Sequence, residues 1–390
     1  VDLWKILVKI LIFSLIWLYS SVETVMASNP RSSPDTAEAD SAEAIYYELR
    51  RQLVSGELPA GSRLPSLRTM ARQFHATINH AQRAVQRLRQ EQLIETRHGS
   101  GIYVPDAATR VRHILLVSPH TGDEWSDYTW AVSRLFSCDA RTRLMIESAP
   151  TCHKDQPEHV AFRRKMHEII TGGVDAVLFN GLIEMQLEFL CDYVDRVPLI
   201  CFASDEAIAQ HIPCSRVVSD WHHGGYIGMR HLIEVGCENI VVTRHSSSPY
   251  GILRHLLDGI DAAAADSIRP VNIKPFLAST SYSTEQIDQQ IDELFDGDVR
   301  PDGVFAHADW LAVRMIARLQ RRGLRVPEDV AVLGYYDTSW AMMTDPPLSS
   351  VSTNSQEVVQ AIKEILDGRR FKESRTIRPR LSIRGSTQRS

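Results

Sequence analysis

Apolar residues along this chain follow two different rhythms. Between residues 42 and 88 they recur at intervals of three and four: Ala42, Ile45, Tyr46, Leu49 and Leu53, then Leu67, Met70, Ala71 and Phe74, then Ala81, Ala84, Val85 and Leu88. That spacing puts each set on one face of an α-helix, so three short amphipathic helices are expected. Gly56 supplies a stop for the first. Ser66 and Thr77 stand where a hydroxyl can accept from the free amides of the second and third helices. "LIETRHGSGIYV", residues 93–104, then reads as strand, glycine turn and strand.

From residue 111 the rhythm changes. "VRHILLVS", "RLMIES", "AVLFN", "PLICFA", "RVVSD", "NIVVTRH", "VNIKPFL", "GVFAHA" and "VAVLGYY" are short β-rich runs, mostly separated by amphipathic segments. Such alternation predicts an α/β body of doubly wound, mainly parallel sheets covered by helices. Nine or more strands over about 275 residues exceed one comfortable core, so two lobes are expected. In open α/β sheets ligands sit at the carboxyl ends of the strands, which between two lobes means a shared cleft.

Charge sharpens this division. The 390 residues carry a net −5, yet residues 41–105 hold nine arginines against five glutamates, a net +4 that leaves −9 to the remainder. A basic module on an acidic body is the asymmetry expected when only one part meets a polyanion. The six cysteines are scattered without a paired CxxC spacing and read as reduced thiols. No metal site and no cofactor are expected.

The first residues, "VDLWKILVKILIFSLIWLYSSVETVMA", combine Lys5 and Lys9, an apolar stretch over residues 10–19 and small-residue spacing at Val25 and Ala27, the features of a secretory leader. Lys9 interrupts the stretch and leaves it short for a membrane span. Met26 is the first methionine and precedes a polar run. Translation is therefore expected to begin there and the product to be cytoplasmic, with export or membrane anchoring through residues 1–25 as the alternative. The expected organisation is a leader or disordered segment over 1–38, a helical module over 39–105, a linker over 106–110 and the body over 111–387.

Chemistry in the basic module points to duplex DNA. The outer face of its third helix carries Asn79, His80, Gln82, Arg83, Gln86 and Arg87, side chains able to read base edges from a helix lying in the major groove. Arg87 and Arg89, toward the far end of that helix, suit solvent or the helix dipole better than a base. Gly99 and Gly101 allow positive φ and close approach, while Arg97 and His98 suit phosphate or sugar. A nucleotide loop is not indicated, since no Walker lysine follows the glycines and GSG lies between strands. Two short helices, a turn and a glycine hairpin compose a winged helix-turn-helix.

"LVSGELPAGSRLPSLRTMARQF" and "LRQEQLIETRHGSGIYV" resemble the gluconate-repressor (GntR) family of bacterial transcription factors over about 60 residues. By that resemblance Arg68, Thr77, Asn79, His80, His98 and Gly99 would touch DNA. The chain departs from the pattern at Ile78, where an arginine is expected, and at Gln92, where a glycine usually ends the helix.

In the body, strand ends present Ser118 and His120, Asn180, Asp220, His307 to Asp309, and Tyr336 with Asp337. Carboxylates near aromatic residues (Trp125, Tyr128, Trp130, Trp310, Trp340) suit a polyhydroxylated ligand, although any one tryptophan could equally be core. Asp220 reads better as a helix cap. "DWHHGGYIGMRHLIEVGCENIVVT", "RPDGVFAHADWLAVRMIARLQRRGLRVPEDVAVLGYYDT" and "PRLSIRGST" are similar to the effector domain of the lactose/galactose repressor (LacI/GalR) family, a relative of periplasmic sugar-binding proteins, over residues 111–387. That resemblance implies Asp309 and Asp337 in an effector cleft and a side-by-side dimer. Ala308 and Tyr336 depart from the family's Asn-Asp and Asp-Asp pairs, and Leu256 stands where a ligand-gripping arginine is expected, with Arg254 as its substitute.

The expected function is a ligand-responsive transcriptional regulator, by family default a repressor. It would be a homodimer on double-stranded operator DNA with a sugar-like effector held by Ser118, His120, Trp125, Arg254, Asp309, Tyr336 and Asp337. A sugar-binding receptor outside the cytoplasm is the alternative, and it leaves the winged module unexplained. No HExxH, GxSxG, Walker A or GxGxxG motif supports an enzyme.

Overall fold

The computed structural model describes the chain except residues 1–33, 98, 106–110, 120–122, 151–154, 181–186, 205–211, 246–251, 279–282, 298, 369–371 and 390. By their contacts the residues fall into two units, Val1–Tyr46 with Pro65–Arg87, and Tyr47–Leu64 with Leu88–Ser390.

Helix α1 (Pro34–Ser55) runs from the first unit into the second. In the first unit follow α2 (Leu67–Gln73) and most of α3 (Ile78–Gln90). Ser66 caps α2 as its sequence position suggests, its Oγ accepting from the Thr69 amide at 3.2 Å. Of the residues selected by the three-and-four spacing in this unit, Ile45, Tyr46, Met70, Ala71, Ala81 and Ala84 are buried, whereas Ala42, Leu67, Phe74 and Val85 are half-buried. The turn between α2 and α3 is closed by the Ala76 amide donating to the Ala71 carbonyl at 2.8 Å, with His75 left-handed at φ 50.

In the second unit the turn that follows α3 holds Gln92 left-handed at φ 56. A side chain pays for that conformation and glycine does not. Gln92→Gly is accordingly expected to raise stability by up to about 1 kcal/mol, less the extra freedom glycine gives the unfolded chain; the urea midpoint measures it. Strands β1 (Glu95–Arg97) and β2 (Gly101–Tyr103) form the expected antiparallel hairpin, with Arg97 opposite Gly101. The preceding segment lies along β2, the Leu64 amide donating to the Ile102 carbonyl at 2.8 Å.

The body has two lobes. The first is built on a fully parallel sheet in the order β13-β7-β6-β5-β3-β4: β3 (Arg112–Pro119), β4 (Thr142–Ala149), β5 (Ala176–Asn180), β6 (Leu199–Ser204), β7 (Ser215–Ser219) and β13 (Ser374–Ile377). Alternation along the strands divides its core. Leu115, Val117, Val177 and Phe179 face α5 (Pro157–Thr171), whereas Ile114, Leu116, Leu178 and Ile200 face α4 (Asp123–Ser137) and α10 (Ser355–Gly368).

The second lobe follows the order β14-β12-β11-β10-β8-β9: β8 (Asn239–His245), β9 (Asn272–Ala278), β10 (Gly303–Phe305), β11 (Ala331–Tyr336), β12 (Ser349–Ser352) and β14 (Arg380–Ser382), parallel except for the β12–β14 pair. Helices α8 (Thr284–Phe295) and α9 (Asp309–Arg321) cover one face, and α6 (Trp221–Glu234) and α7 (Ile252–Ala265) the other. The last two cross closely. A Cβ on Gly225 would stand 2.1 Å from the Leu256 carbonyl oxygen, and one on Gly259 2.0 Å from that of His222. All nine strand runs read from the body's sequence are present, and among the described residues the strands not read there are β12, β13 and β14. The chain passes between the sheets three times, after β7, after β12 and after β13, so residues flanking these passages lie where the lobes join.

Candidate nucleic-acid face and interlobe site

At its start α3 is fixed by a reciprocal cap. Thr77 Oγ1 accepts from the His80 amide at 3.3 Å, and the Thr77 amide donates to His80 Nδ1 at 3.4 Å. His80 is only 6 % exposed. This corrects the expectation that its ring faces DNA: the ring completes the cap by accepting from the Thr77 amide, while the Thr77 hydroxyl takes the His80 amide that would otherwise lack a partner. Asn79, Gln82, Arg83 and Gln86 are exposed, and their spacing of three, four and seven keeps them on one face. Ile78, in the position of the missing arginine, adds an apolar contact beside them at 46 % exposure. Arg68 on α2 is also exposed. Arg87 is structural, its guanidinium 3.8 Å above the Tyr46 ring and 3.9 Å from the Glu43 carboxylate.

On the hairpin, Arg97 Nε donates to Glu95 Oε1 at 2.8 Å and its guanidinium lies 4.5 Å from the Tyr103 ring centre. The side chain is held but remains more than half exposed. Gly99 is left-handed at φ 71 with open space where a Cβ would project. His98 lies outside the described residues.

At the lobe junction the acidic residues are largely committed to the protein itself. Asp309 is 1 % exposed. Its Oδ2 accepts from the Thr338 amide at 2.6 Å and the Thr338 hydroxyl at 3.0 Å, and its Oδ1 accepts from Ser350 Oγ at 2.6 Å. Burial pushes its carboxyl up to about 7 against these three hydrogen bonds. Gly334 must lack a side chain because a Cβ there would reach Asp309 Oδ1 at 2.1 Å. The expectation that Asp309 grips a ligand is therefore corrected: it clamps the ends of β11 and β12 from the first turn of α9. Asp337 accepts from Ser382 Oγ at 2.7 Å and pairs with Arg384 at 2.7 Å, tying β11 to β14 and the segment after it.

Tyr336 is left-handed at φ 93 and half-buried. It packs against the first-lobe cluster containing Tyr128 and Val217 and against the second-lobe cluster containing Trp221 and Tyr335. Its ring lies 5.9 Å from Trp221 and 5.3 Å from Tyr335, both edge-on, and Trp221 stacks on Tyr335 at 5.4 Å. Ser118, at the end of β3, shares a hydrogen bond with Thr129 Oγ1 at 3.0 Å. His307 Nδ1 is 2.6 Å from Thr243 Oγ1. Asp220 caps α6, accepting from the His223 amide at 2.9 Å, as its sequence position suggests. Arg254 is exposed on α7. His120 and the side chain of Trp125 lie outside the described residues.

Of the aromatics suggested for a ligand, Tyr128 is buried in the first-lobe core and Trp310 packs on a second-lobe cluster. Trp130 is 73 % exposed on α4. Among the described residues no group of three or more His, Cys, Asp or Glu could hold a metal ion, and no helix is long and apolar enough to cross a membrane. Cys138 and Cys237 are free thiols.

Two family models match the chain in separate places. Residues 41–104 match the bacterial regulatory proteins of the gntR family, and residues 229–387 match the periplasmic binding protein-like domain. The chain joins a gntR-family module to a periplasmic binding protein-like domain. A curated relative is the HTH-type transcriptional regulator DegA of Bacillus subtilis, 27% identical over 224 residues, which are 55% of this chain and 64% of the relative. The HTH-type transcriptional repressor PurR of Vibrio parahaemolyticus is 24% identical over 50% of this chain and 65% of its own length. The chain thus spans just under two thirds of these relatives. Among solved structures, a LacI family transcriptional regulator from Arthrobacter sp. FB24 in complex with lactose has a TM-score of 0.57 at 18% identity, covering 72% of this chain and 100% of that one. At that identity the likeness establishes the fold alone, a two-lobed α/β body.

Proposed function

We propose that the protein is a ligand-responsive transcriptional regulator, acting as a dimer that binds operator DNA through its gntR-family module and a small metabolite in its body. The observation that carries this reading is the exposed row of Asn79, Gln82 and Arg83 on a capped helix within residues 41–104. Amide and guanidinium groups on one helical face can pair with adenine and guanine edges in the major groove. Thr77 and Ile78 adjoin that row in sequence, Arg68 stands on α2, and Arg97, His98 and Gly99 supply hairpin contacts to phosphate. Two copies would read two half-sites, so the duplex should carry an inverted repeat.

The metabolite belongs at the lobe junction, at the carboxyl ends of the strands. Asp309 is spent, which leaves Ser118, Tyr336, Asp337 and Arg254 as candidate contacts, with His120 and Trp125 joining them on their sequence positions. A sugar-like molecule is favoured by the lactose of the Arthrobacter relative. Ligand binding can change DNA affinity only by as much as its own affinity differs between the two states of the lobes.

Selection from a random pool of duplexes tests the reading. Enrichment of a sequence with inverted symmetry is expected, bound about 10³-fold or more tighter than random duplex, with affinity falling steeply as salt rises. A pool that never departs from randomness would overturn it.

A further inference from the structure

One cation interrupts the apolar stripe of α1. Arg50 follows Tyr46 by four residues and precedes Leu53 by three, and it is 2 % exposed. Its Nε donates to the Glu91 carboxylate at 3.0 Å, its Nη1 to the Arg196 carbonyl at 3.2 Å and its Nη2 to the Val174 carbonyl. The Asp175 carboxylate stands 3.9 Å away, held in place by accepting from the His113 amide at 2.8 Å. Two further contacts reinforce the cluster. The Arg196 guanidinium lies 4.6 Å from the Tyr47 ring centre. Gly173, at φ 108, approaches Glu91 so closely that a Cβ would fall 2.8 Å from its carboxyl carbon.

Val174, Asp175 and Arg196, which meet the Arg50 guanidinium, each precede a strand of the first lobe. Val174 and Asp175 lead into β5, and Arg196 stands three residues before β6. These are the amino ends of the sheet, whereas the lobe junction lies at the carboxyl ends, where β5 finishes at Asn180. Strand β5 therefore runs from the Arg50 cluster toward the lobe junction. A buried guanidinium is costly unless its donors are matched, and the planar fork offers five donors in fixed directions that a lysine cannot reproduce.

We propose that Arg50 is a positioning residue: it fastens the last turns of α1 and the end of α3 to the amino edge of the first-lobe sheet, so that β5 carries changes at the lobe junction to the helices. The coupling role rests on the regulator reading above, whereas the fastening does not.

Hydrogen exchange on the full chain separates the two. Without DNA, Arg50→Met should speed amide exchange at residues 47–55 and 173–177 at least tenfold while leaving 239–245 unchanged, and Arg50→Lys should restore little of the protection. With the duplex enriched by selection, wild type should gain protection over 176–180, because coupling between two sites is reciprocal, and Arg50→Met should not. Glu91→Gln, which keeps the size of the side chain and removes its charge, should show the same loss in weaker form and serves if Arg50→Met fails to fold. Unchanged exchange at 173–177 in these variants overturns the fastening. Equal duplex-induced protection in wild type and variant overturns the coupling. Absence of any enriched duplex counts against the regulator reading alone.

Discussion

Asp309→Ala is expected to destabilise the second lobe by about 2–5 kcal/mol, because it strips the buried Thr338 amide and two hydroxyls of their acceptor, and an orphaned buried donor costs about 1–3 kcal/mol. The amide cannot turn to another partner, whereas the hydroxyls of Thr338 and Ser350 can rotate, which sets the lower end of the range. Asp309→Asn separates shape from charge. Its amide oxygen can take the Thr338 donors while its NH₂ faces Ser350, so the clamp between β11 and β12 survives without an ionisable group.

The pH dependence follows from the same burial. The wild-type carboxyl is raised from 3.8 to about 7 in the fold, so the folded state holds its proton more tightly than the unfolded chain. This contribution to stability is fully present below the unfolded value and is lost as pH rises through about 7. Calorimetry should therefore show wild-type melting fall between pH 5 and pH 8 more steeply than that of Asp309→Asn. Matching profiles, or an alanine variant as stable as wild type, would show that the carboxylate is not the clamp.

Asp309 also shows where sequence reasoning reaches its limit. An acid at a strand end looks the same whether it awaits a ligand or binds its own fold, and here the deciding partners lie 29 and 41 residues away. His80 was misread for a nearer reason. Its place three residues after Thr77 is that of the reciprocal cap, but the role belongs more often to Glu or Gln and was not expected of an imidazole. The central strands were legible because both their faces are buried, which leaves nearly continuous apolar runs. Strands β12, β13 and β14 read SSVS, SRTI and RLS and carry no such signal. Ser349 and Ser350 are nonetheless wholly buried, satisfied by Arg384, Thr387 and Asp309, so polar partners rather than hydrophobicity place them. Arg50 did leave a trace, as a cation on an otherwise apolar helical stripe, and only the tertiary fold reveals what it meets.

On the selected duplex, Asn79→Ala and Arg83→Ala should each weaken binding by about 1–3 kcal/mol, roughly 5- to 150-fold, if each side chain pairs with a base edge. The two are four residues apart on one helix, one turn of α3, and would then read different base pairs. Their losses should then nearly add, giving about 2–6 kcal/mol for the double variant. A base contact also leaves a signature in specificity: each variant should tolerate changes at one position of the duplex that wild type rejects. His80→Ala gives the contrasting case. Loss of the cap should lower thermal stability by about 1 kcal/mol and weaken binding to all duplexes alike, without relaxing any position. Arg97→Ala should behave differently again, lowering the slope of log affinity against log salt by about 1 while preserving sequence preference, since a phosphate contact releases counterions and reads no base. These patterns separate reading, scaffolding and backbone contact by fluorescence anisotropy across salt and a panel of single-base variants. If Asn79→Ala and Arg83→Ala both retain wild-type affinity and preference, the exposed face of α3 is not the reading surface, whatever the module resembles.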